Sequence, residues 1–368
     1  MRHLPSWRGV AARLDLLRST GPGHAWRRFR HDRALAALAA ARRQRISREL
    51  WRDAALAVGA TVTDVAPGRF EIRRGSSITT VVGQTTVLNT PESAARASDK
   101  PAAYERLTAA GLPVPEHLAF KAGEISAARS FLARGPVPCV VKPASGSGGD
   151  GVTGHIRSAS ELRRAVLAAS RYGRRLLIER QLAGDVIRLL VLDGEVIDVV
   201  QRLRPSITGD GRSTVEELMF AEYDRRIRAD DNPGLKSFGV DLDCLLALRH
   251  AGVKLGEVPA AGATLEIRTV TNYNSPADNR VLTAASPELC AEAVVAATAL
   301  RLRLAGVDVV TPTPAASLAA SGGAIIDVNA TPGLHHHAHV ADGGGATRVT
   351  VPILLALLES REPAKAET

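Results

Sequence analysis

Lys142 sits in an apolar run, Val140-Val141-Lys142-Pro143. The next eight residues, Ala144-Ser145-Gly146-Ser147-Gly148-Gly149-Asp150-Gly151, include four glycines. Glycine tolerates backbone conformations that other residues avoid and lets the main chain approach a ligand closely. Such a turn can aim successive N–H groups at phosphate oxygens, with the Lys142 ammonium adding charge from the preceding strand. The order is wrong for a P-loop, because the lysine precedes the glycines and no Gly-Lys-Ser/Thr follows. A hairpin turn between two strands explains these residues equally well when they are read alone. Lysine is scarce in this chain, six against 41 arginines. A compact ammonium fits between phosphates where a planar guanidinium is bulkier.

A second chemical signal lies far downstream. Asp308 falls in the strand pattern Gly-Val-Asp-Val-Val, and Asp327 and Asn329 fall in Ala-Ile-Ile-Asp-Val-Asn. Asp327 and Asn329 are two apart, so on a strand they share one face. Hard oxygen donors on neighbouring strands suit Mg²⁺, whose shell is completed by substrate phosphates and water. Strand-end carboxylates facing solvent are the competing reading. His335, His336, His337 and His339 follow Pro332-Gly333-Leu334. They could meet a phosphate or a carboxylate, or hold a transition metal, or simply form a polar loop beside the site.

These groups need a scaffold, and its outline is readable. At 368 residues, 45% hydrophobic and 23% charged, the chain has the composition of a globular protein with two or three subdomains. No apolar run reaches the ~20 residues of a membrane span, and the N-terminus has no hydrophobic signal core. Cys139, Cys244 and Cys290 are far apart, which fits a reduced cytoplasm better than a disulfide framework or a zinc site. The net charge of +9 is local: residues 1–52 hold 13 Arg against Asp15, Asp32 and Glu49, and the remainder sums to −1. That segment reads as a basic helical extension, with an acidic peptide as a conceivable partner. Aromatics at 4% and a near-neutral body argue against nucleic acid.

Residues 53–95 read as a small α/β unit with short strands at Thr61–Ala66, Arg69–Arg74 and 78–83. Residues 96–360 read as the main body, carrying a lid at about 136–200, and 361–368 as a tail. Within the body, 186–192 and 195–203 form a hairpin through Asp193-Gly194, a favoured two-residue turn. A helix is expected over 287–304 and another over the last apolar stretch before the tail. The fold class is therefore α/β (α+β).

The ordered motifs Lys100, Lys-Pro-Ala-Ser-Gly-Ser-Gly-Gly-Asp-Gly-Val, Ile-Glu-Arg-Gln-Leu-Ala-Gly-Asp-Val-Ile-Arg, Gly-Val-Asp-Val-Val and Asp-Val-Asn-Ala-Thr-Pro-Gly-Leu resemble those of the ATP-grasp superfamily. In detail they look most like the ATP-grasp domain of cyanophycin synthetase and of bifunctional glutathione synthetase, over roughly residues 85–355. The resemblance implies two α/β subdomains clasping ATP, and a ligase that joins a carboxylate to an amine through an acyl phosphate. It implies that Lys100 and Lys142 hold phosphates together with the loop at Ser147, Gly148, Gly149 and Gly151. The backbone over Glu179, Arg180 and Leu182 would meet adenine, and Asp185 the ribose. Arg188, Arg202 and Arg268 would serve catalysis. Asp308, Asp327 and Asn329 would bind two Mg²⁺ ions, with Mn²⁺ able to substitute. Asn272, Asn274, Ser275 and His335 would bind substrate.

Three departures from the family pattern matter. The usual ribose carboxylate is Val186 here, the usual final glutamate is the shorter Asp327, and a Gly-Gly pair in the substrate loop is Pro276-Ala277. Pro-Ala cannot adopt the conformations open to Gly-Gly, so a different substrate is expected, an amino acid or a peptide. A carboxylate–thiol ligase, a kinase on the same scaffold and a non-catalytic nucleotide-binding protein stay open at this point, as does a homo-oligomer.

Overall fold

The computed structural model describes residues 7–360, apart from 147, 229–238, 272–277, 342–344 and 346. The chain opens with helix α1 (Trp7–Ala57), interrupted only at Gly21, whose φ of 81° and ψ of 165° precede Pro22. Strands β1 (Thr61–Ala66), β2 (Arg69–Arg74) and β3 (Ser77–Val82) make a small antiparallel sheet. Helices α2 (Pro91–Ser98) and α3 (Lys100–Ala109) follow. Their starts are written in the sequence: Thr90 and Asp99 cap the first turns, each just before a helix with proline near its N-terminus.

A four-stranded sheet comes next, from β4 (His117–Lys121), α4 (Ile125–Arg134), β5 (Cys139–Pro143), β6 (Thr153–Ile156), α5 (Ala159–Ala169) and β7 (Arg175–Arg180), in the order β4-β7-β5-β6. Ser158 and Glu161 build a reciprocal capping box at the start of α5. The apolar face of this sheet, with Cys139, Val141, Ile156, Leu176 and Ile178, packs on α4 and α5 as a core of its own.

The remaining elements are β8 (Asp185–Leu192), β9 (Glu195–Arg202), β10 (Ser206–Thr208), α6 (Val215–Arg228), α7 (Leu242–His250), β11 (Thr264–Glu266), β12 (Asn279–Val281), α8 (Pro287–Ala299), β13 (Leu304–Thr311), α9 (Leu318–Ser321), β14 (Ala324–Asn329), α10 (His335–Ala338) and α11 (Thr347–Glu359). Five of the strands form the second large sheet, β12-β9-β8-β13-β14. One of its faces buries Ile187, Leu189, Val307, Val309 and Ile325 against α3 and α8. Beyond the other face, Leu190, Leu192 and Leu304 join α11, the small sheet and the second half of α1 through Leu50, Trp51 and Ile353.

The β8–β9 turn is the one the sequence predicts. Asp193 and Gly194 both take positive φ, 48° and 87°, as a twist-matched two-residue hairpin requires. Two boundaries differ from the sequence reading. The lid sheet runs over 117–180 rather than 136–200, because β8 pairs with β13 and β9 with β8, which puts both in the second sheet. Strand β4 enters the lid ahead of the apolar run at 139. The expected helix over 287–304 stops at Ala299, since Leu304 pairs with Leu192 and opens a strand buried along its whole length.

Candidate active site

Strand alternation carries the key side chains to one place. In β5, Cys139 and Val141 point into the lid core, so Val140 and Lys142 face the opposite way. In β8, Ile187 and Leu189 enter the main core while Val186 and Arg188 turn to the other face. In β14 a register shift opposite Asp308 and Val309 interrupts the alternation, so that Ile325 and Val328 are core while Asp327 and Asn329 face the cleft. The lid and the five-stranded sheet thus face each other across a cleft of about 420 Å³. It is lined by Lys100, Lys142, Ser145, Gly146, Gly148, Gly149, Asp150, Glu179, Arg180, Gln181, Leu182, Arg188, Arg202, Asp308, Asp327, Asn329, His335 and His336, among others.

Register sets the charge pairing. Asp308 lies directly opposite Arg188 on one side and Asp327 on the other. The Arg188 guanidinium forks onto the Asp308 carboxylate, Nε to Oδ1 at 2.7 Å and Nη2 to Oδ2 at 2.6 Å. Arg202 approaches the same carboxylate at 3.9 Å, and Asn329 Nδ2 donates to it at 3.2 Å. Burial alone would raise the Asp308 carboxyl, but Arg188, with Arg202 and Lys100, holds it below the usual carboxylate range. Burial, then the nearby Arg188 charge, pulls Arg202 down to about 9, still protonated at neutral pH.

The two lysines are held from both sheets. Lys100 Nζ pairs with the Asp327 carboxylate. Lys142 Nζ meets Glu179 Oε1 at 2.5 Å, Tyr104 Oη at 3.0 Å and the Ile326 carbonyl at 3.1 Å. Three acceptors match the three protons of an ammonium. Tyr104 Oη also lies 3.0 Å from Glu179 Oε1 and 2.7 Å from the Ile326 carbonyl. Burial, then the Glu179 charge, pushes its phenol well above the usual range, so it stays a donor.

The histidines do not gather a metal. Among the described residues no group of three or more His, Cys, Asp or Glu side chains is placed to hold one. Instead they are spread over different contacts: His335 Nδ1 faces Gln84 Oε1 at 2.9 Å, and His337 Nδ1 faces Asp198 Oδ2 at 2.6 Å. Burial, then His339, lowers His335 to about 3, and burial, then His335, lowers His336 well below the usual range. Both are neutral imidazoles, with His335 Nε2 and His336 Nδ1 buried without a partner.

Not every sequence-predicted residue joins the cleft. Asp185 is exposed and accepts from Gln201 Nε2 at 2.8 Å, whereas Val186 takes the cleft-facing position, as alternation demands. Arg268 is buried away from the cleft lining, donating to the Gly239 carbonyl and pairing with Asp241, the cap of α7. Gly151 also stays outside the lining; a Cβ there would lie 2.7 Å from Tyr172 and 3.2 Å from Ala169 Cα, so its role is close packing within the lid. The Arg180 side chain turns into the lid, stacked on Phe131 and paired with Glu116. Ser147, Asn272, Asn274 and Ser275 lie outside the described residues. The sequence reading missed Tyr104, Arg204 and the Thr269–Thr271 stretch. Tyr104 had a signal: it stands four residues after Lys100, hence on the same helix face.

Residues 107–217 match the family model described as D-ala D-ala ligase C-terminus. Cyanophycin synthetase of Nostoc sp. is 30% identical over 321 residues, covering 80% of this chain and 34% of that protein. A glutathione biosynthesis bifunctional protein of Mannheimia succiniciproducens is 28% identical over 256 residues, covering 67% of this chain and 33% of its own. The chain therefore spans about a third of the length of the curated relatives it matches. The crystal structure of a bifunctional glutathione synthetase from Pasteurella multocida superposes with a TM-score of 0.52 at 21% identity, covering 81% of this chain and 42% of that one. The fold is the ATP-grasp fold. Within that fold the chain is similar to cyanophycin synthetase and to bifunctional glutathione synthetase.

Proposed function

We propose that this protein is an ATP-dependent carboxylate–amine ligase that forms an amide or peptide bond through an acyl phosphate, acting on an amino acid or a peptide. The observation that carries the reading is the meeting of four cations, Lys100, Lys142, Arg188 and Arg202, with Asp308, Asp327 and Asn329 in one cleft between two sheets. Phosphoryl transfer needs positioning and charge neutralisation more than covalent help from the protein, and this set supplies both. Lys100 and Lys142 would take phosphate oxygens by exchanging their present carboxylate partners. The lid glycines 146, 148 and 149, all at positive φ, would turn backbone N–H groups to the same oxygens. Adenine would sit against the 179–182 backbone.

Asp308, Asp327 and Asn329 fit Mg²⁺, for which two ions are expected, because they offer hard oxygen donors on one sheet face; the metal would take carboxylate oxygens that now pair with Arg188 and Lys100. The metal would neutralise charge building on the transferred phosphoryl group. In the first step a substrate carboxylate oxygen attacks the γ-phosphorus, ADP leaves and an acyl phosphate forms. In the second an amine attacks the acyl carbon, phosphate departs, and the amine proton is lost. Arg188 and Arg202, both in the cleft lining, would supply positive charge to the transferred phosphoryl and the acyl oxyanion. The lid would exclude water, which would otherwise hydrolyse the acyl phosphate. Neutral His335 and His336 would offer ring nitrogens to the substrate without adding charge.

The test is ADP release with Mg²⁺ and panels of carboxylates and amines, products identified by mass. A ligase shows full turnover only when both substrates are present and yields their sum minus water. Equal ADP release without any amine would favour a kinase, and none with any panel member a nucleotide-binding protein.

A further inference from the structure

The first half of α1 presents an outward face with an unusual composition. From residue 10 to 33 the exposed side chains include Val10, Leu14, Leu17, Trp26 and Phe29, interleaved with Arg13, Arg18, Arg27, Arg30 and Arg33. Trp26 is 62% and Phe29 54% exposed, and their rings stack at 5.9 Å. Over residues 10–33 the helix itself carries only two acids, Asp15 and Asp32, and Glu216 and Asp224 of α6 reach it at Arg27 and His31. The two acids of the stretch are each held by an arginine: Asp15 by Arg164 of the lid helix at 2.9 Å, and Asp32 by Arg28 at 3.4 Å. Among the described residues Arg13, Arg18, Arg30 and Arg33 meet no carboxylate, whereas Arg27 reaches Glu216 only at 3.8 Å. Large exposed apolar groups ringed by one sign of charge mark an interaction surface rather than a solvated helix.

We propose that this face docks a peptide segment that combines acidic with large apolar side chains. The inner side of the helix is already committed, through His24 to Glu216 and Arg28 to the Val240 carbonyl, so an occupant must lie on the outer side. At 1.5 Å rise per residue the parts of this face on either side of Gly21 are each about 15–20 Å long, each matching roughly five residues of extended peptide or three helical turns. Charge complementarity selects an anionic occupant, and exposed Trp and Phe select one that also brings apolar side chains. A bilayer is the poorer match. A helix lying in a membrane interface segregates its apolar sector from its charges, whereas here Arg30 and Arg33 fall four and seven positions after Trp26, in the same sector as the aromatic pair. The proposal concerns the surface alone and holds whatever chemistry the cleft performs.

The test uses the full chain and a fluorescein-labelled 20-residue peptide of alternating Glu-Leu-Glu-Phe units, read by anisotropy. Its controls are the same peptide with every Glu replaced by Gln, a 20-residue poly-Glu, and vesicles of phosphatidylcholine with 30% phosphatidylglycerol. Saturable binding of the acidic-apolar peptide is expected, weaker by about tenfold in Arg27→Gln/Arg30→Gln/Arg33→Gln and again in Trp26→Ala/Phe29→Ala, and weaker in high salt. These residues are exposed, so both variants should keep the wild-type melting temperature, which serves as the folding control. Equal binding by wild type and both variants, equal binding of the Gln peptide or poly-Glu, or capture by vesicles with no binding to the peptide would overturn the proposal.

Discussion

Replacing Arg188 by Met should cost the protein much of its stability, and the structure says how much. The Arg188–Asp308 pair is buried at 5% and 6% exposure. Its two hydrogen bonds are 2.7 and 2.6 Å long, so the substitution leaves a carboxylate in a dry sheet face. Breaking a buried pair costs roughly 3–5 kcal/mol. Asp308 keeps the Asn329 amide at 3.2 Å and the Arg202 guanidinium at 3.9 Å, which places the expected loss near the lower end, about 3 kcal/mol. With a urea slope of about 3 kcal/mol per molar, the unfolding midpoint should fall by about 1 M. The measurement is urea unfolding followed by tryptophan fluorescence, in EDTA so that no divalent ion compensates. Adding Asp308→Asn to Arg188→Met removes the stranded charge and should restore more than half of the loss. A shift below about 0.3 M, or no recovery in the double variant, would refute the argument that this pair is a buried and mutually dependent unit.

Two further outcomes follow from packing around the cleft. Gly184 stands where the chain passes from the lid sheet to the second sheet, at φ +125°, and a Cβ there would lie 2.4 Å from the Thr311 carbonyl group. Gly184→Ala should therefore lower the melting temperature by several degrees, with a cost of about 2–3 kcal/mol, and an unchanged melt would contradict the close approach. Tyr104→Phe keeps the Lys142–Glu179 pair but deletes the hydroxyl that meets both residues and the Ile326 carbonyl. It should cost about 1 kcal/mol in urea unfolding and weaken ATP binding through a less constrained Lys142; identical ATP affinity would separate Tyr104 from the site.

What could be read in advance depended on how local the cause was. Asp327 and Asn329 share a face because strand geometry has period two, and Asp193-Gly194 turns because few residue pairs accept two positive φ values. Alternation likewise foretold that Asp185 and Val186 would point apart, and Val186 is the one that lines the cleft. The pairing of Arg188 with Asp308 could not be read, since it depends on the register between strands 120 residues apart. The same holds for Arg268. The family resemblance implied a catalytic role for it, but its partner is Asp241, the cap of α7, which only folding brings against it. Which sheet each strand joins was not legible for a related reason: an apolar run announces a buried strand, not the sheet in which it will lie.

The central claim is that Lys142 and the Asp308–Asp327–Asn329 face grip one triphosphate between them. Calorimetric titration of ATP into the protein, with and without Mg²⁺, tests it most directly, using wild type and Lys142→Met. Saturable binding that needs Mg²⁺ for full affinity, and that weakens by at least about tenfold in the variant, or ~1.4 kcal/mol, is the expected result. Affinity equal in both proteins, or indifferent to Mg²⁺, would contradict it.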